Sequence, residues 1–153
     1  MFSAVLQIHS VLRYVVLALI LFTIIKSMMG LNSRKSFSKG DEKLAFWAML
    51  SVHIQFTVGL VLYFISPIIK GAMSNMGASM GDTVTRFFLV EHFIGMLIAL
   101  VLITVGRKKA LKALTDQQKY KKLVVFFGVA LFIIFISIPW PFMTAGLGRG
   151  WIS

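Results

Sequence analysis

The chain has 153 residues, of which 58% are hydrophobic, well above the roughly 45–50% apolar content of soluble domains. It contains no cysteine, which excludes disulfides, thiolate metal sites, iron–sulfur clusters and haem attachment through a CxxCH motif. The formal net charge is +11. Because the basic residues collect in short segments without aromatic interleaving, no nucleic-acid partner is expected. The composition therefore predicts an integral membrane protein.

Four apolar runs have about the 20 residues that a membrane-spanning helix needs, and they predict four transmembrane helices. The first run has no Lys or Arg before it and no small-residue cleavage site after it, so we expect a retained helix rather than a signal peptide. The expected fold class is all-α, an up-down-up-down four-helix transmembrane bundle that forms a single domain over residues 1–153. The expected helices cover residues 4–25, 44–66, 87–106 and 123–142.

Two basic segments, Lys26 to Lys43 and Arg107 to Lys122, follow the first and the third run. The positive-inside rule places both in the cytoplasm, and therefore the N-terminus, the second loop and the C-terminus outside. We expect a multi-pass protein of the bacterial inner (cytoplasmic) membrane, with the lipid bilayer as its partner. Attraction of the basic loops to anionic lipid is an expected by-product.

Charged residues and prolines set the expected limits of the later helices. The Asp41/Glu42 pair complements the N-terminal dipole of the second helix, and Pro67 ends that helix. Residues 68–85 are expected to form an external loop, and Pro139 and Pro141 interrupt the fourth helix at the outer interface. Three tryptophans are expected as interface anchors: Trp47, Trp140 and Trp151.

The only histidines of the chain, His9, His53 and His92, lie in three different apolar runs. An imidazole in hydrocarbon needs a hydrogen-bond partner or a metal, so each is a candidate functional residue. The distance of each histidine from the nearest cytoplasmic cation, measured along its helix toward the outside, is about 25 Å for His9, about 22 Å for His92 and about 15 Å for His53. His9 and His92 are therefore expected at the same level, toward the outside.

In an up-down-up-down bundle the first and third helices are diagonal neighbours. Inward-facing His9 and His92 would then ligate one metal in the geometry of a bis-histidine b-type haem. The competing pair is His53 with His92, across adjacent helices. A network of hydrogen-bonded histidines without a cofactor is the third reading.

Two charged residues accompany this pair. Arg13 follows His9 by one turn on the same helical face, and Glu91 directly precedes His92. Either Arg13 and Glu91 neutralise each other, or Arg13 binds a haem propionate while Glu91 orients an imidazole. Arg86 is a further propionate candidate at the outer surface. Three methionines of the external loop offer soft ligands that suit Cu(I): Met73, Met76 and Met80.

The chain resembles a group of small bacterial four-helix membrane proteins that is loosely named cytochrome b-like. The resemblance covers the whole chain, and it implies a four-helix haem-type membrane protein rather than a defined reaction. It rests on His9-Ser-Val-Leu-Arg13-Tyr14, on His53-Ile-Gln55 with Gly59 and Tyr63, on Glu91-His92 with Gly106-Arg107, and on Ile138-Pro-Trp-Pro-Phe142.

Three functions follow as hypotheses. The leading one is an inner-membrane protein that binds haem b and transfers single electrons, with a quinone or other membrane redox subunits as partners. The second is a non-catalytic structural or assembly subunit of a larger membrane complex. The third is a copper-handling membrane protein. No Ser-His-Asp order, HExxH motif or phosphate-binding glycine loop is present, so hydrolase and kinase chemistry is not predicted.

Overall fold

Four long apolar helices make up most of the computed structural model, which describes residues 1–148 and 150–152. Each is long and apolar enough to cross a membrane, and the described residues contain no strand. The expected all-α four-helix bundle is confirmed. The spans are α1 (Phe2–Asn32), α2 (Lys39–Ile65), the continuous helical segment Thr83–Leu111, and a last helix at Asp116–Ser137.

Two short helices precede the third span: α3 (Pro67–Ser74) and α4 (Met76–Gly81). The third span itself consists of the short helix α5 (Thr83–Arg86), a π-helical turn (Phe87–Glu91) and α6 (His92–Leu111). The fourth span is α7 (Asp116–Ser137), and a 3₁₀ turn (Thr144–Gly146) lies in the C-terminal segment. The expected external loop is therefore largely helical. The side chains of Ser66, Asn75 and Asp82 each cap one of these short helices, which supplies the orphan N–H groups with acceptors.

The four spans pack in the cyclic order α1, α2, α6, α7, so that α1 and α6 lie across the bundle from each other. Small and branched side chains fill the centre, because small residues let apolar helices approach closely. Phe127, Ile20 and Ile103 are fully buried there. Outward-facing side chains are also apolar, as in Phe22, Phe64 and Phe132, which is the pattern of helices surrounded by lipid.

The limits of the helices differ from those expected at several ends. α2 begins at Lys39 rather than at residue 44, the third span covers Thr83–Leu111 rather than 87–106, and the last helix begins at Asp116 rather than at residue 123. α1 continues to Asn32 instead of ending at residue 25, because Gly30 lets the ring of Tyr120 on α7 pack directly on its backbone. α7 ends at Ser137, five residues before the expected limit of 142. Ile138 is extended there, since the residue before a proline disfavours the helical region.

Gly106 on α6 packs directly against Phe126 on α7, and it gives a test of this packing. A Cβ atom at this position would overlap the side chain of Phe126, so Gly106→Ala is expected to lower the free energy of unfolding by about 1–3 kcal/mol. Gly128→Ala on α7 is the matched control, because a Cβ there meets nothing within 4 Å. Chemical unfolding in mixed micelles should show no loss for the control, and equal losses would contradict the packing.

Candidate functional site

A cavity of about 160 Å³ lies in the half of the bundle that contains the N-terminus of α1, the C-terminus of α2 and the start of α6. Its wall is mostly apolar, with aromatic side chains from α2 and α6 such as Phe56 and Phe93, whose ring centroids are 5.9 Å apart. Both phenylalanines are half-buried, so the wall between α2 and α6 is not sealed. Four nitrogen-bearing side chains also line the cavity: His9, Arg13, Gln55 and His92.

His9 and His92 face each other across this cavity. Their ring centroids are 6.4 Å apart and the ring planes are inclined by 70°. Two helices that are diagonal in the bundle thus bring their histidines to one level, in agreement with the depths expected from the sequence. Two imidazoles that share one metal through nitrogens about 2 Å from it would have centroids separated by roughly 6–7 Å.

His92 is held by a backbone carbonyl. Its Nδ1 lies 2.6 Å from the carbonyl oxygen of Ser137 on α7. Because a carbonyl only accepts, Nδ1 carries the proton, and Nε2 is the nitrogen with a free lone pair. Metal-ligating histidines commonly donate their second N–H in this way.

Two prolines leave two carbonyl oxygens near the C-terminus of α7 without helical N–H donors. In a continued helix the Ser137 carbonyl would accept from residue 141, but Pro141 has no N–H. The Phe135 carbonyl would likewise meet Pro139, and it accepts from Trp140 Nε1 instead, at 2.8 Å. The prolines therefore release one acceptor for an indole and one for the imidazole of His92. The proline spacing is the sequence signal for the Ser137 contact, which the sequence analysis missed.

Three polar atoms on the opposite wall have no partner among the described residues. They are His9 Nδ1, Arg13 Nε and Gln55 Oε1, all shielded from solvent. Gln55 Nε2 donates to the His9 carbonyl at 2.9 Å, which holds α2 against α1 and leaves the amide oxygen unused. Since an unpartnered buried polar group costs free energy, their convergence on one cavity indicates a site for a polar ligand.

Gly59 sets the position of the His9 ring. A Cβ built at Gly59 would be 3.0 Å from Cε1 of His9, so a larger residue would push the imidazole away from α2. Gly95 on α6 similarly accommodates the side chain of Ser137. Both glycines therefore allow close packing around the histidine pair.

Arg13 connects the cavity to the C-terminal segment. Its Nη2 donates to the carbonyl oxygen of Trp151 at 2.6 Å, and the Tyr14 hydroxyl donates to the same oxygen at 2.6 Å. The guanidinium carbon lies 5.0 Å from the centroid of the Tyr14 ring and 5.8 Å from that of Trp140. Trp140 is buried, so its expected role as an interface anchor is wrong, whereas Trp47 and Trp151 are exposed.

The expected pairing of Arg13 with Glu91 is wrong. Glu91 pairs with Arg86, whose Nε lies 2.8 Å from Glu91 Oε1, because the π-helical turn brings two side chains five residues apart onto one face. Glu91 does not orient His92 either, since the Ser137 carbonyl occupies Nδ1. Arg86 also donates to the Met80 carbonyl at 3.3 Å, and neither residue of this ion pair is among those lining the cavity.

His53 lies apart from the cavity in the described part of the chain. Its Nδ1 is 2.8 Å from the carbonyl oxygen of Met49, and its Nε2 is 3.4 Å from Thr104 Oγ1. Nδ1 therefore donates to the Met49 carbonyl on α2, whereas the Thr104 hydroxyl on α6 donates to the Leu100 carbonyl at 2.7 Å and makes only a long contact with Nε2. The imidazole is thus held by a hydrogen bond within its own helix.

The three methionines between the second and third spans are all exposed: Met73 on α3, and Met76 and Met80 on α4. Within residues 1–148 and 150–152, no three His, Cys, Asp or Glu side chains are grouped so as to hold a metal ion. A bare ion between His9 and His92 would therefore have only two strong protein ligands. Iron in a porphyrin needs no more than two axial ligands from the protein, so the donor set is that of a bis-histidine haem. The free volume of about 160 Å³ is smaller than the roughly 300–1,000 Å³ of most cofactor pockets, so the helices would have to move apart to admit the macrocycle.

The chain matches no protein-family model, no curated protein and no solved structure. Its function is therefore argued from the cavity itself, that is, from the facing histidines, the unpartnered polar atoms and the cation at the cavity's edge.

Proposed function

We propose that this membrane protein binds one b-type haem between His9 and His92 and transfers single electrons. The observation that carries the proposal is the 6.4 Å separation of the two ring centroids, on helices that are diagonal in the bundle. His9 and His92 are the axial ligands in this proposal. The haem, when bound, supplies one-electron iron chemistry in a membrane-buried site.

The surrounding residues support the same proposal. The Ser137 carbonyl fixes the tautomer of His92, and His9 Nδ1 has no hydrogen-bond partner among the described residues. Arg13 offers a cation with an unused Nε, and no carboxylate of the described residues pairs with it. A propionate at Arg13 would supply the missing anion.

A second candidate ligand is the head group of a quinone. The cavity encloses about 160 Å³, below the roughly 300–1,000 Å³ of most cofactor pockets and close to the volume of an engineered cavity that binds benzene. Gln55 Oε1 and Arg13 Nε would serve as acceptor and donor for a hydroxyl and a carbonyl oxygen. This candidate would make the protein a quinone-binding subunit.

An absorption spectrum and an iron analysis of the purified full chain decide between these candidates. For haem we expect a Soret band, sharpened bands on reduction and about one iron per chain. Protein expressed with a haem precursor that remains colourless and free of iron would overturn the haem proposal. A quinone in the organic extract of such a colourless protein would support the second candidate, and copper in place of iron would contradict both.

A further inference from the structure

The basic end of the bundle is the end formed by the α1–α2 and α6–α7 connections with the adjacent helix termini. Its three carboxylates are all engaged: Asp41 with Lys26 at 3.1 Å, Glu42 with Arg107 at 3.7 Å, and Asp116 with Lys119 at 2.9 Å. The other cations there have no carboxylate partner in the described part of the chain. They are Arg34, Lys35, Lys39, Lys43, Lys108, Lys109, Lys112, Lys121 and Lys122.

Among the cations of the basic end, Arg107 lies largely inside the bundle. It lies on α6 against α2, four-fifths buried, and its guanidinium carbon is 5.3 Å from the centroid of the Phe46 ring. The contact with Glu42 is longer than the 2.7–2.9 Å or so of a charge-assisted hydrogen bond. Its Nε is shielded and has no partner among the described residues, so much of the donor capacity of this cation is unused.

The neighbouring positions of α2 add charge next to Arg107 and apolar surface below it. Lys39 and Lys43 precede Glu42 and Phe46 by three residues, so they flank the ridge of α2 that contacts Arg107. Both lysines are exposed. Phe46 and its neighbour Trp47 are exposed as well, although they lie within a helix long and apolar enough to span the membrane. The cations therefore stand at the level of lipid head groups, above side chains that contact acyl chains.

We infer that the surface of α2 and α6 around Arg107 binds the phosphate of an anionic phospholipid, with Lys39 and Lys43 as flanking cations. A lipid is the occupant because one molecule satisfies both parts of the site, anionic oxygens at Arg107 and acyl chains along Phe46 and Trp47. Arg107 is suited to the phosphate because its planar guanidinium presents several donors in a fixed geometry. This site is independent of the haem proposal and lies at the other end of the bundle from the cavity.

Native mass spectrometry of the full chain tests the inference. The chain is mixed in detergent with phosphatidylglycerol or with phosphatidylcholine at equal mole fractions, and the retained lipids are counted. We expect preferential retention of phosphatidylglycerol, and a loss of about fivefold in that retention for Arg107→Gln. Lys70→Gln, which removes a cation outside the basic end, should retain phosphatidylglycerol as the unchanged chain does.

Other outcomes would overturn the site. Equal retention of the two lipids would show no preference for an anionic head group. Equal losses for Arg107→Gln and Lys70→Gln would leave only general charge attraction. Release of the lipid by an equimolar amount of inorganic phosphate would show an anion site without lipid recognition. If Arg107→Gln fails to fold, the double variant K39Q/K43Q replaces it, and unchanged retention in that variant would contradict the flanking role of the two lysines.

Discussion

Replacing His92 with alanine is expected to abolish the low-spin haem spectrum and to lower the haem content from about one per chain to less than about a tenth. The reason is that, in the proposed site, His92 supplies one of only two axial nitrogens. Its Nδ1 is already bound to the Ser137 carbonyl, so the ring is oriented before any ligand arrives. The measurement is the reduced-minus-oxidised spectrum of the purified variant, together with its iron content.

His9→Ala should give the same result, and His53→Ala is the matched control. His53 is also a histidine within a spanning helix, but its Nδ1 donates to the Met49 carbonyl and its side chain is not among those lining the cavity. The control variant should therefore keep its spectrum and its haem content. Loss of the spectrum in His53→Ala with survival in His9→Ala would make His53 and His92 the ligand pair instead.

Replacing Asp41 with alanine is expected to lower the free energy of unfolding by about 2–3 kcal/mol. The buried carboxylate of Asp41 accepts hydrogen bonds from the backbone N–H and hydroxyl of Ser38 and from the Tyr120 hydroxyl at 2.9 Å. It also pairs with Lys26 on α1. One side chain thus joins the starts of α2 and α7 to α1. Chemical unfolding of the variant in mixed micelles measures the loss.

Glu42→Ala is the control for this effect, because Glu42 is the next residue in the same helical turn and carries the same charge. Its side chain is half exposed and its ion pair with Arg107 is 3.7 Å long, so the expected loss is within about 0.5 kcal/mol. Comparable losses in the two variants would mean that charge at the α2 N-terminus, rather than the Asp41 hydrogen bonds, stabilises this end.

Much of the fold could be predicted from the sequence because the bilayer imposes it. A spanning segment must satisfy its own backbone hydrogen bonds, so an apolar run of sufficient length becomes a helix wherever it packs. Four such runs predict four spans, and the helical rise places His9 and His92 at similar depths. The relative depth of these two histidines could therefore be predicted by counting residues along the chain.

The limits of the helices and the short outer helices could not be predicted in the same way. Residues 68–85 show no long apolar run, and their helices depend on caps at Ser66, Asn75 and Asp82. Single capping hydrogen bonds decide whether such a segment forms a turn or a helix. A prediction based on glycine and proline content does not take these hydrogen bonds into account. The extension of α1 likewise depends on the contact of Gly30 with Tyr120.

The sequence by itself determined the helical class, the number of spans and the level of the two facing histidines, because hydrophobic length and helical rise are local properties. Only the tertiary structure decided which polar groups meet. In the structure Glu91 forms an ion pair with Arg86, His92 is hydrogen-bonded to the Ser137 carbonyl, and Arg13 donates to the Trp151 carbonyl. Partners in an apolar bundle are chosen by which helix faces which at a given depth, and the rotation of each helix about its axis is set by packing with its neighbours.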